Sequence, residues 1–158
     1  MKDIIRAALI ATAVVVAPLS TAQDNSAGIA DLAAMQQAAR KDKRALVADK
    51  MQLTPAEAKK FWPVYDTLQK ELTRLNRERN LALETLANRD RPPSDAYARQ
   101  VVNDLMSIEE QEVKALRKAS NAAMRALPPR KAARYLQLEN KLRAAQDYEI
   151  AAAFSLVQ

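Results

Sequence analysis

Helix-breaking residues divide this chain into a few long segments, and their spacing constrains the fold more than any other feature. The chain of 158 residues has a single glycine, Gly28, and its prolines beyond the N-terminal region stand at Pro55, Pro63, Pro92-Pro93 and Pro128-Pro129. Between them the sequence is rich in Ala, Leu, Glu, Lys, Arg and Gln, the residues with the highest helix propensity. No alternating Val, Ile or Thr run indicates a strand. The sequence therefore predicts an all-α fold. The predicted helices cover residues 29–51, 55–88, 95–126 and the segment from 129 onward.

The helix predicted to begin at Pro55 carries a narrow apolar seam. Its apolar residues recur at steps of three and four, as in a coiled coil, and the next helix repeats this spacing from Tyr97 to Ala123 with Glu112 as a polar interruption. At about 1.5 Å per residue, the first helix spans roughly 50 Å. We therefore expect a long antiparallel helical hairpin, bent at Pro63, with flanking N- and C-terminal helices, in an intertwined dimer. The apolar positions are Ala58, Phe61, Tyr65, Leu68, Leu72 and Leu75 on the first helix, Leu32, Met35, Ala39, Leu46 and Ala48 on the N-terminal helix, and Ala132, Tyr135, Leu138, Leu142 and Ala145 on the C-terminal helix.

The start of that first long helix recurs later in the chain. Thr54 is suited to cap the helix, Pro55 suits its first position, and Glu57 can complete a capping box. Shifted by 74 residues, Leu53-Thr54-Pro55-Ala56-Glu57-Ala58-Lys59-Lys60-Phe61 lies over Leu127-Pro128-Pro129-Arg130-Lys131-Ala132-Ala133-Arg134-Tyr135. Capping chemistry alone selects similar residues at unrelated helix starts. Both an internal repeat and two independent starts are therefore open interpretations.

Residues 1–22 have the composition of an export signal. Lys2 and Arg6 precede an apolar stretch over 7–17, and small residues at Ser20 and Ala22 fit a cleavage site. A helix that spans a bilayer needs roughly 20 apolar residues, so a retained membrane anchor is the weaker alternative. We expect cleavage near Ala22, no stable membrane insertion, and a mature chain that forms a single all-helical domain over 23–158.

The chain contains neither cysteine nor histidine. Thiolates and imidazoles supply most activated nucleophiles, general bases and soft metal ligands, so this composition argues against an enzyme and against a metal or other cofactor. The scarcity of glycine excludes Gly-rich phosphate-binding loops. The carboxylates of Glu109, Glu110 and Glu112 are interpreted as a solvated acidic patch. We therefore predict a binding protein rather than an enzyme.

Basic residues recur at one-turn intervals on both long helices. The net charge is +6 for the whole chain, which favours acidic partners such as unfolded acidic proteins, anionic lipid surfaces or nucleic acid; the predicted export disfavours nucleic acid. Each basic residue is also open to interpretation as part of an ordinary helical ion pair. The pairs that the spacing allows are Asp66–Lys70, Glu71–Arg74, Arg74–Glu78 and Glu110–Lys114. The basic residues proposed to contact a partner are Lys70, Arg74, Arg77, Lys114, Lys118 and Arg125.

The predicted export signal, the helix start Leu53-Thr54-x-x-Glu57 and its second copy near the C-terminus resemble the LTxxQ-motif family of Gram-negative periplasmic proteins, the Spy/CpxP-like chaperones. Two positions of the second copy depart from the motif, as does one of the first. Glu57 stands where the motif has glutamine, and Pro128 and Lys131 stand where it has threonine and glutamine. The family-motif positions in this chain are Leu53, Thr54, Glu57, Leu127, Pro128 and Lys131.

The resemblance implies a cradle-shaped antiparallel homodimer whose basic, partly apolar face holds unfolding proteins without ATP. The six basic residues would then contact clients, and Phe61, Trp62 and Tyr65 would form the dimer interface, where aromatic residues are enriched. The sequence thus favours an ATP-independent periplasmic chaperone or envelope-stress accessory protein that binds unfolded or misfolded proteins. The alternatives are an adaptor or inhibitor of one periplasmic sensor domain, and a metal-binding envelope protein.

Overall fold

A computed structural model describes residues 21–87 and 93–154. These residues form four α-helices and no strand, which confirms the predicted all-α class. Most of the predicted export signal, residues 1–20, lies outside the described part. Among the described helices, none combines the length and the apolar character needed to cross a bilayer. The helices are α1 (Thr21–Met51), α2 (Pro55–Ala87), α3 (Asp95–Ala126) and α4 (Pro129–Ala153).

Local side-chain chemistry explains where α2 and α3 begin. The backbone N–H of Thr54 donates to Glu57 Oε2 at 2.8 Å, and the N–H of Glu57 donates to Thr54 Oγ1 at 3.3 Å. This reciprocal pair is the predicted capping box, and it satisfies two N–H groups that would otherwise have no partner. Ser94 caps α3 by accepting the N–H of Tyr97 at 3.3 Å. Pro128 precedes α4 without a side-chain cap.

The marked interruption in α1 lies at Asp42, although the sequence has no proline or glycine near this position. Asp42 has an extended backbone (φ −158°, ψ 93°), and its carboxylate accepts the N–H of Ala45 at 2.9 Å. It therefore caps the second half of α1 as an N-cap residue does. By contrast, α2 stays helical through Pro63. Because the break resets the helical phase, Ala48 is exposed, contrary to the predicted stripe. The buried residues after the break are Leu46, Val47 and Met51.

The helices bury their apolar faces within one chain. α2 packs along α3, α1 packs along α4, and α3 also contacts α4. The apolar stripe predicted for α4 is entirely buried, and so is the predicted seam of α2 from Phe61 onward. One continuous core joins the four helices. Its main members are Met35, Val47, Met51, Phe61, Tyr65, Leu68, Leu72, Ala119, Ala123, Leu127, Ala132, Tyr135, Leu138 and Leu142.

The two similar helix starts contact each other at equivalent positions. The rings of Phe61 and Tyr135 meet edge to face, with centroids 4.9 Å apart. Lys131 Nζ donates to Glu57 Oε2 at 2.7 Å, and these residues are 74 positions apart, as are the two aromatic residues. Contacts between counterparts at successive turns require α2 and α4 to run in the same direction and in register. The similar starts of α2 and α4 therefore lie side by side.

A buried ion cluster replaces the solvated acidic patch that was predicted around Glu112. Its carboxylate is 5% exposed and accepts hydrogen bonds from Arg79 and Arg143, with 2.7 Å between Glu112 Oε1 and Arg143 Nε. The prediction is wrong for this residue because α4 brings Arg143 onto the same side of α3. Glu109 and Glu110 do lie on the surface. The cluster joins α2, α3 and α4.

A second buried carboxylate ties α1 to the other helices. Glu139 on α4 is 1% exposed, and its Oε1 accepts Lys43 Nζ at 2.7 Å. Its Oε2 accepts Gln69 Nε2 at 3.1 Å, and Lys43 also donates to Gln69 Oε1 at 2.8 Å. All three side chains are thus satisfied, as buried polar groups require.

We expect Phe61→Ala to lower the free energy of unfolding by about 3–5 kcal/mol, because the substitution removes a fully buried ring from the core. Urea denaturation followed by circular dichroism measures the loss. Trp62→Ala is the matched control, and its effect should be smaller because Trp62 is only partly buried. Since Phe61 packs within one chain, the decrease in the free energy of unfolding caused by Phe61→Ala should be the same at low and high protein concentration. A loss that depends on concentration would place Phe61 in an interface between chains.

We expect Glu112→Gln to lower the free energy of unfolding by about 2–4 kcal/mol, because it leaves two partly buried guanidinium groups without a neutralising charge. Glu109→Gln makes the same chemical change at an exposed position and should alter stability by no more than about 0.5 kcal/mol. Denaturant titration of both variants provides the comparison. Equal effects would show that Arg79 and Arg143 do not depend on Glu112 for a neutralising charge.

Candidate binding groove

A groove runs between α2 and α3 because small side chains face it from α3. Ala115, Ala119 and Ala122 follow one another at about one-turn intervals and have no atoms beyond Cβ, which leaves space beside α2. The resulting volume is about 760 Å³. A hollow between α2, α3 and α4 is smaller, at about 540 Å³, and contains the charges of the Glu112 cluster. We call the larger, more apolar cavity the α2–α3 groove. Its apolar residues from α2 are Pro63, Val64 and Leu68.

Three lysines line the α2–α3 groove. Lys70 comes from α2, and Lys114 and Lys118 come from successive turns of α3. All three are exposed, and none forms an ion pair with another residue in 21–87 or 93–154. The ion pairs predicted for Lys70 and Lys114 do not form; Asp66, the expected partner of Lys70, pairs with Arg44 of α1 instead. The charges of these lysines are therefore free to meet a ligand.

The carboxylate in the α2–α3 groove is already held by an arginine. Arg74 donates to Glu71 Oε1 at 2.7 Å and to Glu71 Oε2 at 3.2 Å, and it also reaches Glu78 at 2.6 Å and Gln111 at 2.9 Å. The hydrogen bonds from Arg74 hold the pKa of Glu71 below its usual value, and the charge of Lys118 acts in the same direction. The two ion pairs predicted for Arg74 are thus confirmed. Because Glu71 is paired with Arg74, the three lysines make the electrostatic potential of the groove positive.

The six predicted partner-binding residues do not form one cluster. Lys70, Lys114 and Lys118 share the groove, and Arg74 lies beside it through its bonds to Glu71 and Gln111. Arg77 and Arg125 are exposed but do not line the groove. The sequence did not predict the alanine floor, because alanines in a helix are equally consistent with close helix packing.

The predicted dimer-interface aromatics lie in or beside the core of the single chain. Phe61 is 0% exposed and Tyr65 is 4% exposed, and burial raises the pKa of Tyr65 to about 12. Trp62 is partly buried, with the guanidinium of Arg44 4.2 Å from its ring centroid. A second chain would reach Phe61 or Tyr65 only if the helices separated. The fold therefore accounts for these rings without a dimer.

The motif positions hold the two helix starts together. Lys131 donates to Glu57 Oε2 at 2.7 Å and to the carbonyl oxygen of Gln52 at 3.0 Å. Lys131 and the backbone of Thr54 hold the pKa of the Glu57 carboxyl below its usual value. The residues that replace glutamine in the two copies are thus bonded to each other, as an acid and a base. The motif leucines anchor the junctions; Leu127 is buried and Leu53 packs against the core.

No protein-family model matches this chain, and comparisons with curated proteins and with solved structures give no match. Within residues 21–87 and 93–154, there is no group of three or more acidic, histidine or cysteine residues that could hold a metal ion.

The Glu57–Lys131 pair predicts a specific double-mutant cycle. Glu57→Gln and Lys131→Gln should each lower the melting temperature, because each leaves one charge without its partner. The double variant places glutamine at both positions and should lose less than the sum of the two, since the amides can hydrogen-bond and glutamine also completes a capping box. Thermal unfolding of the four proteins measures the coupling. Glu57→Gln combined with Lys114→Gln is the control and should be additive.

The contribution of the Glu57–Lys131 pair to the free energy of unfolding should also decrease at low pH. The folded-state pKa of Glu57 is lowered, so the pair stabilises the fold above the unfolded-state pKa of the carboxyl. That stabilisation is lost as the pH falls through the folded-state pKa.

The double-mutant cycle has a result that would contradict a direct contact between Glu57 and Lys131. This result is that the effects of Glu57→Gln and Lys131→Gln on the melting temperature are additive at neutral pH.

Proposed function

We propose that this protein is an ATP-independent chaperone of the Spy/CpxP-like kind, which holds acidic segments of unfolded or misfolded proteins in the α2–α3 groove. The observation that carries the proposal is a set of three exposed, unpaired lysines beside an apolar, alanine-floored groove. An unfolded chain exposes apolar side chains that gain free energy on leaving water. Lysines attract its carboxylates. Neither interaction needs a nucleotide.

The construction of the α2–α3 groove suits clients of varied sequence. Lysine side chains are long and flexible, so their ammonium groups can follow carboxylates at different positions. Their attraction extends over about one Debye length, ~8 Å at physiological salt. The alanine floor admits apolar side chains of different sizes because it imposes no shaped pocket. Binding should therefore be broad in specificity and should weaken as salt is raised.

We also propose a cellular location and a family for the protein. The mature chain, residues 23–158, would be a single domain in the periplasm, which is supported by the basic and apolar segments of the predicted export signal. A relation to the LTxxQ-motif family is supported by the helix start at Leu53-Thr54 and by the similar helix start at Leu127. We propose no catalytic step and no cofactor.

The proposed shape is a bent antiparallel hairpin of α2 and α3, flanked by α1 and α4, in a homodimer. The hairpin is supported by two sets of neighbours, since residues 63–71 share a groove with 111–122 and residues 78–85 share a hollow with 97–111. A dimer contact would use α3, where Val102, Met106 and Val113 are each more than half exposed. These residues lie on one face of the helix. The mass in solution distinguishes monomer from dimer.

Two triple variants test the role of the groove. The groove variant carries Lys70→Gln, Lys114→Gln and Lys118→Gln. The end variant carries Lys60→Gln, Arg130→Gln and Arg134→Gln, which removes the same charge at exposed positions outside the groove. We expect the groove variant to need about tenfold more protein to half-suppress aggregation of a denatured acidic test protein, because exposed ion pairs contribute about 0.2–1 kcal/mol each. Light scattering measures the suppression.

The end variant should suppress aggregation as the wild-type protein does. Equal losses in the two variants, or no suppression by the wild-type protein at severalfold molar excess, would contradict the proposal. Binding of one folded sensor domain in a fixed ratio, without affinity for unfolded chains, would instead identify an adaptor.

A further inference from the structure

Positive charge is concentrated at one end of the helical bundle. Residues 48–62 and 121–135, which contain the ends of α1 and α3 and the starts of α2 and α4, carry seven basic and two acidic residues. The rest of the described chain carries fourteen basic and fifteen acidic residues. The net positive charge of the described protein therefore resides at this end. We call this region the basic end.

The contacts of Lys131 show that the four helix termini meet at the basic end. Its Nζ bonds to Gln52, which follows α1, and to Glu57 in the first turn of α2, while Lys131 itself lies in the first turn of α4. Leu127 closes the junction from α3 and belongs to the same buried core as Met51. The basic end is thus a surface across the bundle axis rather than a strip along one helix.

Most of the cations at the basic end are available to a partner. Lys59, Lys60, Arg125, Arg130 and Arg134 are exposed, and none forms an ion pair with another residue in the described parts of the chain. In an α-helix the Cα–Cβ bond tilts toward the N-terminus. Since α2 and α4 both begin here, the side chains that they contribute lean toward the end of the bundle. Lys60 and Arg134 occupy equivalent positions in the two helix starts, 74 residues apart, and both are exposed.

This arrangement suits a flat anionic surface better than a linear polyanion. Cations that are spread over the end of a helical bundle can contact several phosphates of a flat surface at once. Proteins that bind a nucleic acid strand instead have cations in a line along the strand and exposed aromatic rings on which the bases stack. At the basic end Phe61 and Tyr135 are buried, and Trp62 is covered by Arg44. The α2–α3 groove does not include these cations, so they are not accounted for by client binding.

We propose that the basic end docks this protein peripherally on an anionic phospholipid surface, with the bundle axis pointing away from the membrane. The interaction is independent of the proposed chaperone function and uses different residues. Lysines and arginines near an anionic bilayer each strengthen binding by about fivefold, and the effect decays within a Debye length. Docking in this orientation leaves the α2–α3 groove open to solvent.

Vesicle sedimentation of the full chain tests the docking proposal. Vesicles of phosphatidylcholine alone report any binding by the apolar segment 7–17, and vesicles that also contain phosphatidylglycerol add the anionic charge. We expect the wild-type protein to prefer the anionic vesicles. The end variant should lose this preference by at least tenfold in partition coefficient, and the groove variant should stay within about twofold of wild type. Raising the salt from about 0.1 M to about 1 M, which shortens the Debye length to roughly 3 Å, should abolish the preference.

The two triple variants keep this proposal separate from the chaperone proposal, because each should fail in only one assay. Circular dichroism checks that both variants remain folded, as expected for substitutions at exposed positions. Equal losses in the two variants, or no preference of the wild-type protein for anionic vesicles, would overturn the docking proposal. Tighter binding to an oligonucleotide duplex than to vesicles, lost in the end variant, would overturn it in favour of nucleic acid.

Discussion

The contact between the two similar helix starts organises the packing of this protein. Phe61 against Tyr135 and Glu57 against Lys131 fix α2 and α4 in parallel register at one end of the bundle. The aromatic contact is fully buried and should contribute more to stability than the partly exposed ion pair, which mainly helps to fix the register. Once these helices are in register, α1 and α3 can only pack beside them, because short junctions connect their ends.

Two further features of the molecule follow from that register. α3 packs along α2, and its alanines near Leu68 leave the α2–α3 groove open between the helices. The basic residues of both helix starts are brought to the same end of the bundle. The buried carboxylates of Glu112 and Glu139 then bond side chains from neighbouring helices. Such buried ion clusters contribute little net stability and are better understood as fixing which helices pair.

Much of the fold was predictable because it depends on local and periodic sequence features. The seam of α2 and the stripe of α4 follow helical periodicity, and the capping box at Thr54 and Glu57 is a short-range pattern. The break at Asp42 was not predictable, because aspartate is common within charged helical segments and only its bond to Ala45 identifies it as a cap. Burial of Glu112 and of the proposed interface rings Phe61 and Tyr65 depends on α4, which is distant in sequence. The same holds for the site, where charge spacing indicated the lysines but only packing showed which three share a groove.

A crosslinking experiment determines whether the starts of α2 and α4 contact each other within one chain. Unlabelled and isotope-labelled protein are unfolded together, refolded as a mixture and treated with a zero-length carboxylate–amine crosslinker, and the peptides that join Glu57 to Lys131 are analysed by mass spectrometry. Contact within one chain predicts peptides that are wholly unlabelled or wholly labelled. Mixed peptides in equal abundance would show that the contact forms between chains in an intertwined dimer, which would contradict the packing of both helix starts into the core of a single chain.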